Sequence, residues 1–192
     1  NVMMNKNGYK DLNDVLKISN KPLNVDEFKR HKELENTVIL DTRSSKDFSN
    51  SHIPNSYFVG LSRSFAPWVG EILRDVKINI LLLSDDGKEL ESITRLSRVG
   101  FDNCIGFLKG GIKSWIENGN KVEHIENISS EDFVSLKNDC QTLDVRKKSE
   151  TSLSSLKNSI KIPLSNLHLN LDSINKKDKI YVHCAGGYRS MI

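Results

Sequence analysis

The feature that most constrains this chain is an internal repeat with a period near 100 residues. One copy, PLNVDEFKRHKELENTVILDTRSSKDFSNSHIPNS, runs from Pro22 to Ser56. The other, IENISSEDFVSLKNDCQTLDVRKKSETSLSSLKNSIKIPL, runs from Ile125 to Leu164. Phe28 matches Phe133, Asp41 matches Asp144, Arg43 matches Arg146 and Ile53-Pro54 matches Ile162-Pro163, at offsets of 105, 103, 103 and 109. A chain of 192 residues that repeats at this spacing holds two small domains rather than one large one. The expected division is a linker or helix over 1–21, a first domain over 22–121 and a second over 122–192.

Both copies share a local logic. A polar, acidic start followed by Phe at helical spacing predicts short helices over Val25–His31 and Ser130–Lys137. Apolar runs then read as buried strands, Thr37–Leu40 ending at Asp41 and Thr142-Leu143 ending at Asp144. A second strand follows in each, at Ile78–Leu83 and Ile180–Val182. Strands alternating with helices predict an α/β fold, a parallel sheet with helices on both faces. In the first copy Leu90, Ile93, Leu96 and Val99 mark a helix closed by Gly100, and Cys104–Leu108 reads as a strand. Gly110-Gly111 then turns the chain into a helix closed by Gly119, with Ile112, Trp115 and Ile116 facing the core. The second copy has no counterpart of this last part before Ile192, so about a third of it is expected to be missing, leaving that domain truncated.

Composition narrows the function by exclusion. Lys+Arg is 28 and Asp+Glu is 25, a formal charge of +3, too balanced to draw nucleic acid or an anionic membrane. The longest apolar run, Ile78–Leu83, is interrupted by Asn79 and falls far short of the ~20 residues of a membrane helix. The polar start NVMMNKNGYK has no export signal and does not begin with Met, so the sequence reads as an internal piece of a longer protein. Three scattered cysteines suit a reduced, cytoplasmic setting. The five histidines show no ligand spacing, and no metal is expected within the sequence.

The segment that can carry chemistry is Ile180-Tyr-Val-His-Cys-Ala-Gly-Gly-Tyr-Arg-Ser190. A short strand delivers Cys184 into a glycine-containing turn, and after Arg189-Ser190 the chain can enter a helix. Such a turn aims successive backbone N–H groups, and the positive end of a helix, at one point. A thiolate there is stabilised and its pKa falls. Gly186 and Gly187 permit backbone angles closed to other residues, and Arg189 adds positive charge. The plain alternative is a buried cysteine beside an ordinary turn, which the Gly-Gly, Arg and Ser at this spacing disfavour.

Asp144-Val-Arg146, Ile162-Pro163-Leu164 and Cys184-Ala-Gly-Gly-Tyr-Arg-Ser190 resemble the rhodanese-like (sulfurtransferase) domain. So do Leu40-Asp-Thr-Arg43, His52-Ile-Pro54, Gly100-Phe101, Gly110-Gly111-Ile112 and Trp115. The resemblance covers about Pro22 to Ile192 and implies a five-stranded parallel α/β sheet in two tandem copies. It implies that Cys184 takes up a sulfane sulfur as a persulfide and passes it to a thiol or other acceptor. The amides of Ala185, Gly186, Gly187, Tyr188, Arg189 and Ser190, with the Arg189 side chain, would hold an anionic donor such as thiosulfate or glutathione persulfide. Asp144 and Arg146 would order the neighbouring loops. Four residues separate Cys184 from Arg189, where the related phosphatases and arsenate reductases use one more, so sulfur transfer is favoured over phosphate hydrolysis.

Counting back from Gly100 as the family spacing implies, Ser84 stands where a cysteine would, with Gly87 as the loop glycine and Glu89 in place of the arginine. A serine without a base is a weak nucleophile, and Asp85, Asp86 and Glu89 oppose an anion, so the first domain is expected to be silent. A non-catalytic scaffold that orients a partner domain is the rival reading for the whole chain, and a phosphatase-like enzyme a third.

Other residues read as architecture. Cys104 is a core strand position, His52 a structural part of His-Ile-Pro, and Trp115 a core residue. Lys147-Lys148 and Lys176-Lys177 read as solvated turns. Cys140 reads as incidental, with a resolving thiol as the alternative. His183 neighbours Cys184 but points to the opposite face of its strand. Tyr9, Leu12, Val15, Leu16 and Ile18 suggest an amphipathic helix. Together with Asn5-Lys-Asn-Gly8 and Pro22-Leu23, this helix resembles the join between a metallo-β-lactamase-fold domain and rhodanese repeats in persulfide dioxygenase fusions. That resemblance implies an upstream partner domain that could carry iron.

Overall fold

A computed structural model describes residues 11–61, 64–136, 140–175 and 177–192. Tyr9, Asn5–Gly8, Lys137 and Lys176 lie outside the described residues. The chain divides into two compact units, residues 1–125 and 126–192.

The first unit contains α1 (Leu12–Ser19), β1 (Pro22–Leu23), α2 (Val25–Lys32), β2 (Thr37–Asp41), α3 (Ser45–Asn50) and β3 (Tyr57–Phe58). It continues with α4 (Phe65–Leu73), β4 (Asn79–Leu83), α5 (Glu89–Ser97), β5 (Cys104–Leu108) and α6 (Gly111–Glu117). The sheet is parallel throughout, in the order β1-β5-β4-β2-β3. Strand alternation divides its core into two layers. Leu40, Ile80 and Leu82 join Val69, Leu73, Ile93 and Leu96 from α4 and α5 on one face. Ile39, Leu81 and Leu83 join Phe28 and Trp115 from α2 and α6 on the other. The edge of the Phe28 ring meets Trp115 at 6.1 Å between centroids.

Local chemistry sets the helix ends. Asn24 accepts from the Glu27 backbone N–H while the Glu27 carboxylate accepts from that of Asn24, each at 2.9 Å, so α2 starts where two orphan donors are satisfied. Within α1, Val15 is buried and Leu16 packs against the core, so this helix belongs to the first unit's packing. Ile116 is about half exposed, contrary to the expectation that it faces the core, and Leu90 near the start of α5 is equally exposed. The sheet surface is already covered by Ile93 and Leu96 in α5 and by Trp115 in α6.

The second unit contains α7 (Ser130–Leu136), β6 (Gln141–Asp144), α8 (Lys148–Thr151), β7 (Ile160–Lys161), two 3-10 turns (Leu164–Leu169 and Leu171–Ser173), β8 (Ile180–His183) and α9 (Tyr188–Met191). Its parallel sheet has the order β7-β6-β8.

Sheet register corrects one part of the repeat. Asp41 pairs with Phe58 and Asp144 with Lys161. Val59 then donates to the Asp41 carbonyl as Ile162 donates to that of Asp144. Ile162-Pro163 therefore corresponds to Val59-Gly60, and not to Ile53-Pro54, at the same offset of 103 as the two Asp-x-Arg pairs. The two Ile-Pro pairs coincide in composition only. On the other side of each central strand, Asp41 pairs with Leu83 and Asp144 with His183, so Ser84 and Cys184 follow equivalent positions at an offset of 100.

Candidate active site

Each central strand ends in an aspartate clamped by an arginine two residues on. In the second unit Asp144 accepts from Arg146 Nε at 2.9 Å and from Nη2 at 2.7 Å, and Nη2 also donates to the Ser154 carbonyl at 2.8 Å. In the first, Arg43 holds Asp41 the same way and donates to the Ser51 carbonyl at 2.7 Å. The clamp ties the carboxyl end of the strand to the loop beyond the following helix. Burial pushes the Asp144 carboxyl up, but hydrogen bonds from Arg146 and the nearby His183 outweigh it and hold it below its usual value.

Cys184 follows β8, with Ala185, Gly186 and Gly187 exposed and Tyr188, Arg189 and Ser190 partly buried at the start of α9. Gly187 has φ +80° and turns the chain into α9, as Gly87, at φ +77°, lies before α5. Burial alone would raise the Cys184 pKa. The Ser190 hydroxyl, 3.6 Å from Sγ, and the backbone N–H groups of Gly186, Ser190 and Arg189 outweigh it, so the thiol lies below its ordinary value. Of the turn's residues, the structure brings the amides of Gly186, Arg189 and Ser190 and the Ser190 hydroxyl to the Cys184 sulfur.

Arg189 has a partner that the sequence reading did not name. Its guanidinium is held by Glu150, Nη1 to Oε2 at 2.6 Å and Nη2 to Oε1 at 2.7 Å, and it also interacts with Cys184. Glu150 also accepts from the Lys147 backbone N–H at 3.0 Å. Arg189's hydrogen bonds, then that backbone bond, draw its pKa down to about 2. Sequence reasoning missed Glu150. The signal was there: Glu150 sits four residues after Arg146 at the third position of a short helix, and its counterpart at the offset of 103 is Asp47.

The same position in the first unit holds different chemistry. Ser84 is buried and accepts from the Thr42 hydroxyl at 3.1 Å, and its hydroxyl lies 3.2 Å from that of Ser92. Thr42 and Ser92 are themselves 3.1 Å apart, so three hydroxyls satisfy one another. Asp85 is close enough to add to the rise that burial imposes on the Asp41 carboxyl. Glu89, which opens α5, occupies the counterpart of Arg189.

Cys104 is buried and its pKa is pushed up to about 12 by burial. Cys140 precedes β6 and Cys184 follows its parallel neighbour β8, so they sit at opposite ends of the sheet. At about 3.3 Å per residue they are roughly 16 Å apart, beyond disulfide reach, which removes Cys140 as a resolving thiol in this fold. His52 stacks on Phe48 at 4.3 Å and its Nδ1 lies 3.0 Å from the Phe48 carbonyl oxygen, a structural role. His183 Nε2 lies 3.6 Å from Asp144 Oδ2. Lys147 and Lys148 are exposed. Among the described residues no group of His, Cys, Asp or Glu side chains could hold a metal, and no helix is long and apolar enough to cross a membrane.

A parallel α/β sheet that delivers a thiol from the carboxyl end of a strand into an amide-lined turn, beside an Asp-x-Arg clamp, defines a narrow class of domains. The chain belongs to the rhodanese-like domain family, whose profile matches residues 24–118 and 129–192. Among curated proteins no match is found. Similar solved structures include the Alr3790 protein from Anabaena sp., at 22% identity over 60% of this chain and 92% of that one, with a TM-score of 0.48. Thiosulfate sulfurtransferase from Pseudomonas aeruginosa is 17% identical over 94% of this chain and 42% of that one, with a TM-score of 0.44. A variant of EanB in complex with hercynine is 14% identical over 83% of this chain and 43% of that one, with a TM-score of 0.50. The chain spans less than half the length of these last two proteins, and at such identities the likeness concerns the fold alone.

Proposed function

We propose that this protein is a sulfurtransferase that carries sulfane sulfur on Cys184. The observation that supports this most is the thiol itself, half-buried yet held below its ordinary pKa by the Ser190 hydroxyl and three backbone amides. The Cys184 thiolate attacks the sulfane sulfur of a donor. A sulfur–sulfur bond forms, the donor's bond to that sulfur breaks, and the donor remainder leaves with the electron pair. The terminal sulfur of the persulfide takes the negative charge, and the amides that hold the Cys184 sulfur, those of Gly186, Arg189 and Ser190, lie beside it. An acceptor thiolate then attacks the terminal sulfur, and Cys184 leaves as the stabilised thiolate it was. No oxidant is needed, because the sulfur moves at constant oxidation state.

The first unit serves as a non-catalytic partner in this reading. Its counterpart hydroxyl, Ser84, is engaged with Thr42 and Ser92 and has no imidazole or amine base among its hydrogen-bond partners. The test is intact-protein mass spectrometry after treatment with a sulfane donor. The expected result is a gain of one sulfur on Cys184 that cyanide removes and that Cys184→Ala abolishes. Protein that stays unmodified, or that loads elsewhere, would overturn the proposal.

A further inference from the structure

Beside Cys184 the second unit holds a cavity of about 590 Å³. Phe133, Val134, Leu156 and Tyr181 supply much of its apolar lining, and Cys184 and His183 both reach its wall. The Phe133 and Tyr181 rings meet edge-on at 5.8 Å between centroids. Small-molecule sites of roughly 300–1,000 Å³ have this character, mostly apolar with a few placed polar groups. The first unit shows what the same sheet face is like as plain core. There Ile39, Leu81 and Leu83 are at most 3% exposed and pack with Phe28 and Trp115. By strand register their counterparts are Thr142, Tyr181 and His183. Three aliphatic core positions have become a hydroxyl, a phenol and an imidazole, and all three line the cavity. Covering such groups with more apolar core would leave them unpaired at a cost in free energy, whereas a ligand can use them.

We propose that this cavity is the acceptor site of the transfer: it takes a small organic thiol with an apolar body, and His183 removes the thiol's proton. This rests on the sulfurtransferase reading above and adds to it the acceptor and its base. His183 Nε2 is buried with no hydrogen-bond partner and lies 3.6 Å from Asp144 Oδ2. Facing that carboxylate, Nε2 keeps the proton of the neutral imidazole, and Nδ1 is left as the base. An acceptor R–SH gives its proton to Nδ1, and the thiolate attacks the terminal sulfur of the Cys184 persulfide. The new S–S bond forms as the bond to Cys184 breaks, and Cys184 leaves with the electron pair. The departing R–S–S⁻ recovers the proton from His183. R–SH and Cys184–S–S⁻ have become R–S–SH and Cys184–S⁻, balanced in atoms and charge. The first unit carries Leu83 at the position of this base.

The test loads Cys184 with sulfane sulfur and follows its discharge by phenylmethanethiol, 2-mercaptoethanol and sulfite. The first two are alkyl thiols that differ in their apolar body, and sulfite is a small anion with no thiol proton to lose. Phenylmethanethiol is expected to saturate with a KM at least about tenfold below that of 2-mercaptoethanol, because its ring enters the cavity. In His183→Leu the ratio of the limiting rate with phenylmethanethiol to that with sulfite is expected to fall about tenfold or more, while the thiol's KM changes much less. A merely structural histidine would slow all three acceptors alike. If His183→Leu does not fold, His183→Gln carries the same comparison. Equal KM values for the two thiols would overturn the apolar site, and an unchanged rate ratio would overturn the base, each leaving the sulfurtransferase reading intact. Failure of Cys184 to load in the unaltered protein would overturn both readings.

Discussion

Two cysteines of this chain report opposite environments. Cys184 is held below its ordinary pKa by hydrogen bonds, and Cys104 is pushed up to about 12 by burial. Alkylation of Cys184 should therefore reach its plateau at a lower pH than a free cysteine, whose pKa is about 8.5, while Cys104 stays unlabelled until the fold opens. Peptide mapping after iodoacetamide at a series of pH values checks both. Ser190→Ala removes one hydrogen bond to the thiolate and should slow Cys184 labelling near neutral pH roughly threefold. Glu150 makes a further prediction. Its folded pKa is depressed, so the ion pair with Arg189 is fully present above the ordinary carboxylate value of about 4.3 and is lost as pH falls toward about 2. Carboxyl NMR shifts of Glu150 should show its midpoint near that lower value. The residue was hard to see from sequence because its meaning depends on a partner 39 positions away, and neither residue is unusual alone.

At the scale of elements, the Asp-x-Arg clamp joins a strand end to a loop eight residues on from the arginine in both units. Arg43 is 5% exposed and Asp41 not at all, whereas Arg146 is 16% exposed. Asp41→Asn leaves a buried guanidinium without its counter-charge and should destabilise the first unit by about 3–5 kcal/mol. Asp144→Asn should cost less, and urea unfolding measures both. Most strands were legible in the sequence, because Thr37–Leu40 and Ile78–Leu83, the latter broken only by Asn79, are largely apolar runs bounded by polar residues. The pairing of Ile53-Pro54 with Ile162-Pro163 was misread, because two identical dipeptides compete with a register that depends on hydrogen bonds between strands. The exposure of Leu90 and Ile116 was likewise hidden, since helical spacing alone leaves open which apolar residues reach the sheet.

Over the whole molecule, the two units differ in how much core they hold. The first buries Phe28, Phe48, Phe58 and Phe65 along with its aliphatic strands, while among the described residues the second buries Leu143, Val145, Ile162 and Leu164. Hydrogen exchange should therefore be faster across β6 and β8 than across β2 and β4, because opening costs less where less apolar surface is buried. Equal protection in the two sheets would contradict this. The shared clamp has another consequence. Since Asp41–Arg43 and Asp144–Arg146 are built alike but only one stands beside a thiol, the chain holds a matched pair of sites. A lesion in the first clamp tests the fold alone, and the same lesion in the second tests fold and chemistry together. Subtracting one from the other separates what the aspartate does for a strand from what it does for a sulfur atom.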